Sequence, residues 1–454
     1  MPTTKIVVPS GHLGTTPLEL DSLRRGCDAG PDFVIADSGS ADVGPMPLGT
    51  DRSASDPRWQ EHDLEAMLTG ARDLDVPMVV GSASDTGSDS GVDRYVEMIR
   101  RIAHRHGWEP FKVAAIYSEQ PVDSVRKRLR RGATLAGLDG RPEADERVLD
   151  RTDRIVAVMG PEPIQSALDD GADVVICGRA SDPAIFAAPL LNAGHSPANA
   201  FFAGKALECA SLCAEPFMVK ETVLGTITDD GVKVTAMNPG QRCTPTSVAA
   251  HTMYERVNPY REYVPGGHVD LTGCRYEQVD ERSTMVTGQT FVRSDAYRVK
   301  LEGAGKVGER RLFIVGIRDP YTISLIDRVL ELARERIAGL FGPIGEDYDV
   351  RYHVYGRDGV MGSLEPTPAQ SPLELCLIVD VLAPEGQLAE EICHVAAKAL
   401  FNARLPETKG TAGTAAIFVD EVLEVQPAYD WTLNHTIEVD DPHELFRTTH
   451  LTVG

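Results

Sequence analysis

The sequence predicts an α/β fold, in which an N-terminal doubly wound, mostly parallel sheet is followed by a C-terminal α+β domain. In the first half, short apolar runs alternate with segments of helical spacing, which is typical of parallel strands joined by crossover helices. The second half opens on two alternating segments around an Asp-Gly turn, a hairpin signal. The length of 454 residues is sufficient for two domains.

Six apolar runs in the first half each end at a cluster of Gly, Ser, Asp or Glu. They are KIVVPSGHLGTT from Lys5, FVIADSGSADVGP from Phe33, MVVGSASDTGSDSG from Met78, VAAIYSEQ from Val113, IVAVMGPEP from Ile155 and VVICGRASDP from Val174. Right-handed crossovers would place these six strands in one sheet. Because loops after parallel strands gather along one sheet edge, the repeat predicts a single polar crevice for a ligand.

Helical spacing and turn signals predict the remaining organisation. Apolar residues three or four apart predict helices from His62, Val92 and Pro163. After about residue 218 the pattern changes to VLGTITDDGVKVTAM, further antiparallel segments, and the helices ISLIDRVLELARERIAGLF and LAEEICHVAAKALFNARL. We therefore predict an α/β domain with the crevice over residues 1–218 and an α+β domain over residues 219–454.

Composition excludes several classes of partner. Lys and Arg total 45 against 68 Asp and Glu, and the net charge of −23 disfavours nucleic acid and anionic membranes. No signal peptide is visible, and no apolar stretch reaches the roughly 18 residues of a membrane span. Eight scattered cysteines fit reduced thiols in a cytoplasmic protein. Zinc spacings and nucleotide fingerprints are absent, so we predict no metal and no cofactor.

The loop after the second apolar run is the first candidate site. Asp37, Ser38 and Ser40 lie in it beside glycines that let a backbone approach a ligand closely. The alternative is a turn whose Asp and Ser side chains cap nearby amides. In the loop after the third run, Ser82 and Ser84 are placed to cradle a carboxylate at a helix N-terminus, or to cap that helix in a plain connection.

The segment CGRASDP after the sixth run carries the candidate anion anchor. Arg179 is placed to bind a carboxylate bidentately, with Gly178 and Ser181 beside it, while Asp182 orients the arginine or acts as a base. The alternative is a structural Arg–Asp pair that holds adjacent loops together. A small anionic substrate is the partner that this segment predicts.

Further acid–base candidates lie elsewhere in the chain. Glu119 ends the fourth run at the same predicted edge, where it is either a general acid or base or a solvated side chain. His12 and His251 are two histidines to test for proton transfer. Cys209 sits at helical spacing from Cys213, which favours buried thiols over a nucleophile.

Long segments of the chain resemble the acyclic terpene utilisation, or AtuA-like, family. The resemblance rests on GPEPIQSALDDGADVVICGRASDP, GKALECASLCAEP and CTPTSVAAHTMYERVNPYREYVPGG, with DSGSADVGPMPLG, GIRDP, YGRDGVMG and LNHTIEVDDPHELF. It implies a cytoplasmic protein of carbon catabolism that acts near acyl-CoA intermediates of branched terpenoid acids, with a small companion subunit. DSGSADVGP and GSASDTGSDSG depart from the family pattern where substrate would bind, which counts against a terpenoid substrate but leaves the fold intact.

These observations predict a catabolic enzyme of the lyase, hydratase or isomerase type, acting on a small carboxylic acid or its acyl-CoA thioester. Arg179 and loop amides would hold the anion while Asp37, Glu119, Asp182 or His251 moves a proton. One alternative is a non-catalytic protein that binds a small molecule or partner in the same crevice. Another is a hydrolase with Ser38 or Cys209 as nucleophile. We also expect a homo-oligomer.

Overall fold

The computed structural model of the chain describes residues 2–9, 11–367, 372–408, 413–417 and 422–454. The chain divides into two compact units, the first comprising Met1–Gly305 with Trp431–Gly454 and the second Lys306–Asp430. The boundary predicted at residue 218 falls inside the first unit. A compact unit is not necessarily a segment that folds alone. The division into domains at residue 218 therefore stays a prediction.

The elements are numbered in chain order over the described residues. The strands are β1 Thr4–Val8, β2 Phe33–Asp37, β3 Met78–Gly81, β4 Phe111–Tyr117, β5 Glu119–Gln120, β6 Leu135–Gly137, β7 Arg154–Val158, β8 Val174–Cys177, β9 Ala214–Glu215, β10 Val223–Ile227, β11 Val232–Ala236, β12 Arg242–Cys243, β13 Arg261–Val264, β14 Gly267–Asp270, β15 Arg275–Asp280, β16 Ser283–Thr287, β17 Thr290–Arg293, β18 Arg298–Ile317, β19 Asp349–Tyr355, β20 Leu375–Ala383, β21 Ala416–Ile417, β22 Leu423–Glu424, β23 Ala428–Glu438 and β24 Arg447–Val453. The helices are α1 Leu20–Asp28, α2 Pro45–Thr50, α3 Pro57–Leu74, α4 Asp89–His106, α5 Val122–Arg130, α6 Glu146–Asp150, α7 Glu162–Asp169, α8 Asp182–Asn192, α9 Pro197–Leu207, α10 Pro245–Met253, α11 Pro320–Ser324, α12 Ile326–Phe341 and α13 Gly386–Phe401.

The fold is mixed α/β, and the first unit contains a large mixed sheet with the order β15-β16-β11-β10-β1-β2-β3-β8-β4-β24. The strands β1, β2, β3, β8 and β4 run parallel at its centre. The predicted hairpin of β10 and β11 is confirmed, and it extends this sheet next to β1. The doubly wound arrangement itself stays a prediction.

One predicted member of the parallel sheet was placed wrongly. The run from Ile155 forms β7, which lies outside the parallel sheet and pairs antiparallel with β18. Its sequence, IVAV, is as apolar as the true parallel strands, so composition alone could not separate them. The end of β7 still reaches the same loops, because the Met159 amide donates to the Arg179 carbonyl at 2.9 Å.

Helices cover both faces of the parallel strands. Side chains alternate between faces along each strand, so Val7 and Val34 pack with α1, α3 and α4, whereas Ile6 and Ile35 pack with α7, α8 and α9. Burial on both faces explains why these strands are continuous apolar runs.

The hairpin of α8 and α9 brings two distant segments together. Both helices are almost entirely buried, and they approach so closely that a Cβ on Gly204 would lie 2.4 Å from the Pro183 carbonyl oxygen. Asp182 begins α8, while Lys205 and Glu208 lie at the end of α9. The close packing therefore places these three ionisable side chains beside one another.

The second unit is an antiparallel sheet with helices on one face. β20 pairs with β18 over Glu309–Ile317 and with β19 on its other side. The apolar sides of α12 and α13 pack on the buried face of this sheet. Among the described residues, no helix of either unit is long and apolar enough to cross a membrane.

Candidate functional site

The loops after β2, β3 and β8 meet in one crevice of the first unit. The Ser38 amide donates to the Gly81 carbonyl at 2.9 Å, and the Ser82 amide donates to the Gly178 carbonyl at 3.2 Å. The Asp85 amide donates to the Ser38 carbonyl at 3.1 Å. These backbone bonds hold the three loops in register, as expected for the carboxyl ends of parallel strands.

Asp37 and Asp182 are the two carboxyl groups at the centre of this crevice. Asp37 is 6% exposed, and its Oδ1 has no hydrogen-bond partner among the described residues. Burial raises the pKa of Asp37, although the charges of Arg179 and His12 oppose the shift. Burial, and then the charge of Asp37, raise the pKa of Asp182 well above its usual range. The charge of Asp37 therefore makes ionisation of Asp182 harder.

Arg179 is a buried cation held by Glu302. Its Nε donates to Glu302 Oε2 at 2.8 Å and its Nη1 to Ser82 Oγ at 3.2 Å. Lys300 Nζ lies 2.8 Å from Glu302 Oε1. Although burial acts in the opposite direction, the charges of Arg179 and Lys300 lower the pKa of Glu302 to about 2. Glu302 is therefore ionised and compensates the buried guanidinium.

Gly178 lets two loops approach each other. A Cβ at this position would lie 2.4 Å from the Ser118 hydroxyl oxygen. That oxygen accepts the Arg179 amide at 2.7 Å and donates to the Gly87 carbonyl at 2.9 Å. Because Gly178 has no side chain, Ser118 can approach closely, and its hydrogen bonds fix the backbone from which Arg179 projects.

The loop after β3 holds a strained backbone around a histidine–aspartate pair. Ser82, Ser84 and Asp85 have φ of 48°, 58° and 70°, in the left-handed region that costs free energy for residues other than glycine. Asp85 accepts His12 Nε2 and the Ser55 amide, the latter at 2.9 Å. Despite burial, hydrogen bonds from His12 and neighbouring serines lower the pKa of Asp85 to about 2. Asp85 therefore orients His12 beside Asp37.

Replacing Asp85 tests this arrangement. Asp85→Asn is expected to lower the free energy of unfolding at pH 7 by about 1–3 kcal/mol, because buried donors lose a charged acceptor. Since the pKa of Asp85 falls from 3.8 to about 2 on folding, its contribution is complete above pH 3.8 and disappears as the pH falls towards 2. Urea unfolding of the parent and the variant at several pH values measures the difference, with the exposed Asp21→Asn as the control.

A polar cavity of about 190 Å³ opens at Asp182. Lys205 Nζ lies 2.5 Å from Glu208 Oε1 and 4.6 Å from the centre of the Tyr254 ring. The lining residues are mostly ionisable: Asp182, Pro183, Lys205, Glu208, Tyr254, Glu255, Arg256 and Glu262. A ligand in this cavity would meet Asp182 at the start of α8.

A second cavity, of about 410 Å³, lies next to Ser181, the residue before α8. Ser181, Lys300 and the turn of the β13–β14 hairpin contribute to its lining. By contrast, the space directly above Arg179 and Glu302 is only about 10 Å³, roughly the size of one water molecule. Small molecules therefore have room beside Asp182 and Ser181 rather than above the ion pair.

A comparison with models of protein families identifies the family of the chain. The family model described as acyclic terpene utilisation family protein AtuA matches residues 4–432. The chain belongs to the acyclic terpene utilisation family. The resemblance inferred from the sequence motifs is thereby confirmed. Comparisons with curated proteins and with solved structures gave no match.

Two predicted acid–base residues of this family member lie outside the Asp37–Asp182 pair. His251 is 4% exposed, and its Nε2 bonds the Glu208 carbonyl oxygen at 2.9 Å. Burial lowers the pKa of His251, so the ring is neutral at pH 7. The ring contacts the polar cavity through the backbone of the lining residue Glu208. Glu119 is paired with Arg154 and accepts the Asp89 amide at 3.3 Å.

Most of the predicted serines form hydrogen bonds within the protein. Ser38 is fully buried and bonds the Tyr95 hydroxyl. Ser40 accepts the Asp42 amide at 3.1 Å, capping a short 3₁₀ helix, and Ser84 accepts Arg94 Nε at 3.3 Å. Ser181 precedes α8 and lines the second cavity. Ser181 is thus a lining residue of a cavity large enough for a substrate.

Glu302 and Lys300 were missed at the level of the sequence. They lie more than a hundred positions from Arg179, in a strand without a recognisable motif. An isolated Glu in the apolar context LEGAG is the one signal of a buried, paired carboxylate. In the described ranges, no group of three or more His, Cys, Asp or Glu side chains is placed to hold a metal ion.

Proposed function

We propose that the chain is an acid–base enzyme of the lyase, hydratase or isomerase type that acts on a small carboxylic acid or its acyl-CoA thioester. The observation that carries the proposal is the pair of carboxyl groups at the edge of the parallel sheet, the buried Asp37 and the half-buried Asp182. Buried like-charged groups with raised pKa values are typical of catalytic acids and bases. The neighbouring cavities provide space for a substrate.

The two carboxyl groups have different surroundings, which suggests different roles. Arg179 and His12 favour the ionised form of Asp37, and its Oδ1 is free to accept a proton. Asp182 has the more strongly raised pKa and is the better proton donor. In an elimination, Asp37 would take the proton from the substrate carbon as the double bond forms. Asp182 would protonate the departing hydroxyl, which leaves as water.

Arg179 has capacity left for the substrate. A guanidinium carries five N–H groups, and the bonds at Nε and Nη2 to Glu302 and at Nη1 to Ser82 use three of them. We propose that the remaining N–H groups bind one carboxylate oxygen of the substrate in the space above the ion pair, which is roughly the size of one water molecule. The attraction between Arg179 and the substrate would become stronger as negative charge develops on that carboxylate or thioester during proton abstraction.

The hydrolase alternative has less support. A serine nucleophile needs an adjacent base, but Ser38 is buried against the hydroxyl of Tyr95. Burial and the neighbouring Glu208 raise the pKa of Cys209, so its thiol is protonated at neutral pH. A non-catalytic binding protein would use the same crevice, and turnover decides between the two.

The remaining expectations about the protein are also proposals. A cytoplasmic location fits the cysteines, which are all free among the described residues. A homo-oligomer and a small companion subunit stay predictions, as does a role in the use of acyclic terpenes, which rests on the family description.

A ligand screen with turnover measurement tests the proposal. Short hydroxycarboxylates, unsaturated carboxylates and their CoA thioesters are added to the full chain, and the melting temperature is recorded. Compounds that stabilise the protein are then followed by proton NMR in D₂O. Exchange or loss of the hydrogen next to the carboxyl or thioester carbon supports an acid–base enzyme. Stabilisation without exchange or conversion favours the binding protein, and labelling by serine or thiol reagents favours the hydrolase.

A further inference from the structure

A groove on the second unit has a lining unlike the rest of this acidic chain. It runs between α12 and α13 and has a volume of about 550 Å³. We call it the basic groove, and it is lined by Leu332, Arg336, Leu340, His394, Val395, Lys398, Ala399, Asn402, Ala403 and Arg404. It contains none of the residues of the proposed catalytic crevice.

Cationic side chains surround the basic groove. Arg336, Lys398 and Arg404 contribute to its lining, and none of the described residues that line it is acidic. His394 also lines it and lies 3.9 Å from Glu390, which is outside the lining. The whole chain carries a net charge of −23, so a uniform surface would place carboxylates here. Several cations converging on one space attract an anion and recognise a carboxylate or phosphate directly.

The floor of the basic groove is aliphatic. Leu332 and Leu340 lie on one side, and Leu340 is 52% exposed. Val395, Ala399 and Ala403 form the other side. The eight-residue separation of the two leucines on α12 corresponds to about 12 Å along the helix axis. An extended hydrocarbon chain of that length would cover the exposed leucine and remove apolar surface from water.

We propose that the basic groove binds an aliphatic carboxylic acid, with its hydrocarbon chain on the leucine and alanine floor and its carboxylate at Arg336 and Lys398. The volume is within the roughly 300–1,000 Å³ of small-molecule sites. A protein partner would need about 800 Å² on each side and would match a longer row of charges. The compact set of cations instead fits a single anionic head group.

Decanoate is the probe, since its extended length matches the basic groove. The full chain is titrated with decanoate below micelle formation, by calorimetry and by ligand-observed NMR. We expect saturable binding, with decanol and decylamine each at least tenfold weaker because they lack the anionic group. Each methylene removed from the chain should weaken binding by up to about fourfold.

Matched variants locate the site. The double variant Arg336→Gln, Lys398→Gln is expected to weaken decanoate binding at least tenfold. Arg328→Gln is the control, because Arg328 lies on α12 but pairs with Glu331 and Glu335 outside the basic groove. Ala399→Trp should fill the groove and also block binding. Circular dichroism and melting curves check that each variant is folded, which is expected of the glutamine variants because Arg328, Arg336 and Lys398 are exposed.

Several outcomes would overturn the proposal. These are the absence of saturable decanoate binding, equal binding of decylamine, or an equal loss in Arg328→Gln. Binding that persists in Ala399→Trp would place the acid elsewhere, including the catalytic crevice. If an acidic amphipathic peptide binds through Arg336 and decanoate does not, the basic groove is a peptide site. If the double variant instead dissociates an oligomer, the groove is an interface between copies of the chain.

Discussion

Asp37→Asn and Asp182→Asn are each expected to reduce turnover by about 10²–10⁴-fold, the usual contribution of a general acid or base. Each variant keeps the shape of the side chain but cannot exchange a proton in the required way. Substrate binding should change much less than turnover, because the proposed anchor is Arg179. The measurement is the rate of conversion, or of hydrogen exchange, for the best compound of the ligand screen.

Although the same two variants should lose turnover, they should be at least as stable as the parent at pH 8. Folding raises the pKa of both carboxyl groups, so they favour the folded state below their unfolded pKa values and oppose folding once the pH rises through the folded values. At pH 8 we expect each asparagine variant to melt at or above the temperature of the parent. Asp21→Asn, whose side chain is 76% exposed, is the control that changes neither property. Unchanged turnover in both site variants would contradict the proposed roles.

Glu302→Gln is expected to lower the free energy of unfolding by about 3–5 kcal/mol, because it leaves the buried Arg179 guanidinium without its counter-charge. Replacing both partners, as Arg179→Met with Glu302→Met, should recover much of this loss, since neither charge then remains buried. Lys300→Met should cost less, because the Lys300 side chain is 36% exposed and contacts only one oxygen of Glu302. Urea unfolding measures all three changes.

A loss below about 1 kcal/mol in Glu302→Gln would contradict this account, because it would mean that Arg179 reaches solvent or another anion. The double methionine variant separates stability from function. It should fold but lose substrate binding, since it lacks the remaining N–H groups of Arg179. Binding equal to the parent would remove Arg179 from the proposed site.

The sequence was informative where local pattern determines structure. Continuous apolar runs such as VVIC need burial on both faces, and this identified five of the strands around the crevice. Glycine, serine and aspartate at the strand ends located Asp37 and Asp182. The run from Ile155 has the same apolar character, and only its long-range pairing with β18 removes it from the parallel sheet.

Other features of the site depend on contacts between residues that are far apart in the chain. Arg179 was expected either to bind substrate or to pair with an aspartate, but its hydrogen-bonded partner is Glu302, from another strand. Lys205 and Glu208 are close together in the sequence, but their place beside Asp182 follows from the tight α8–α9 packing. Periodicity and motif spacing carry no information about such pairings, because both describe only neighbouring residues.

The most direct test of the central claim is to measure the titration of Asp37 and Asp182 by carboxyl-carbon NMR in the parent and in each asparagine variant. We expect at least one of the two carboxyl groups to stay protonated above the usual aspartate range in the parent. Removing either one should lower the apparent pKa of the other, because the like-charge repulsion is lost. Two independent carboxyl groups that ionise near pH 4, each unaffected by loss of the other, would contradict the claim.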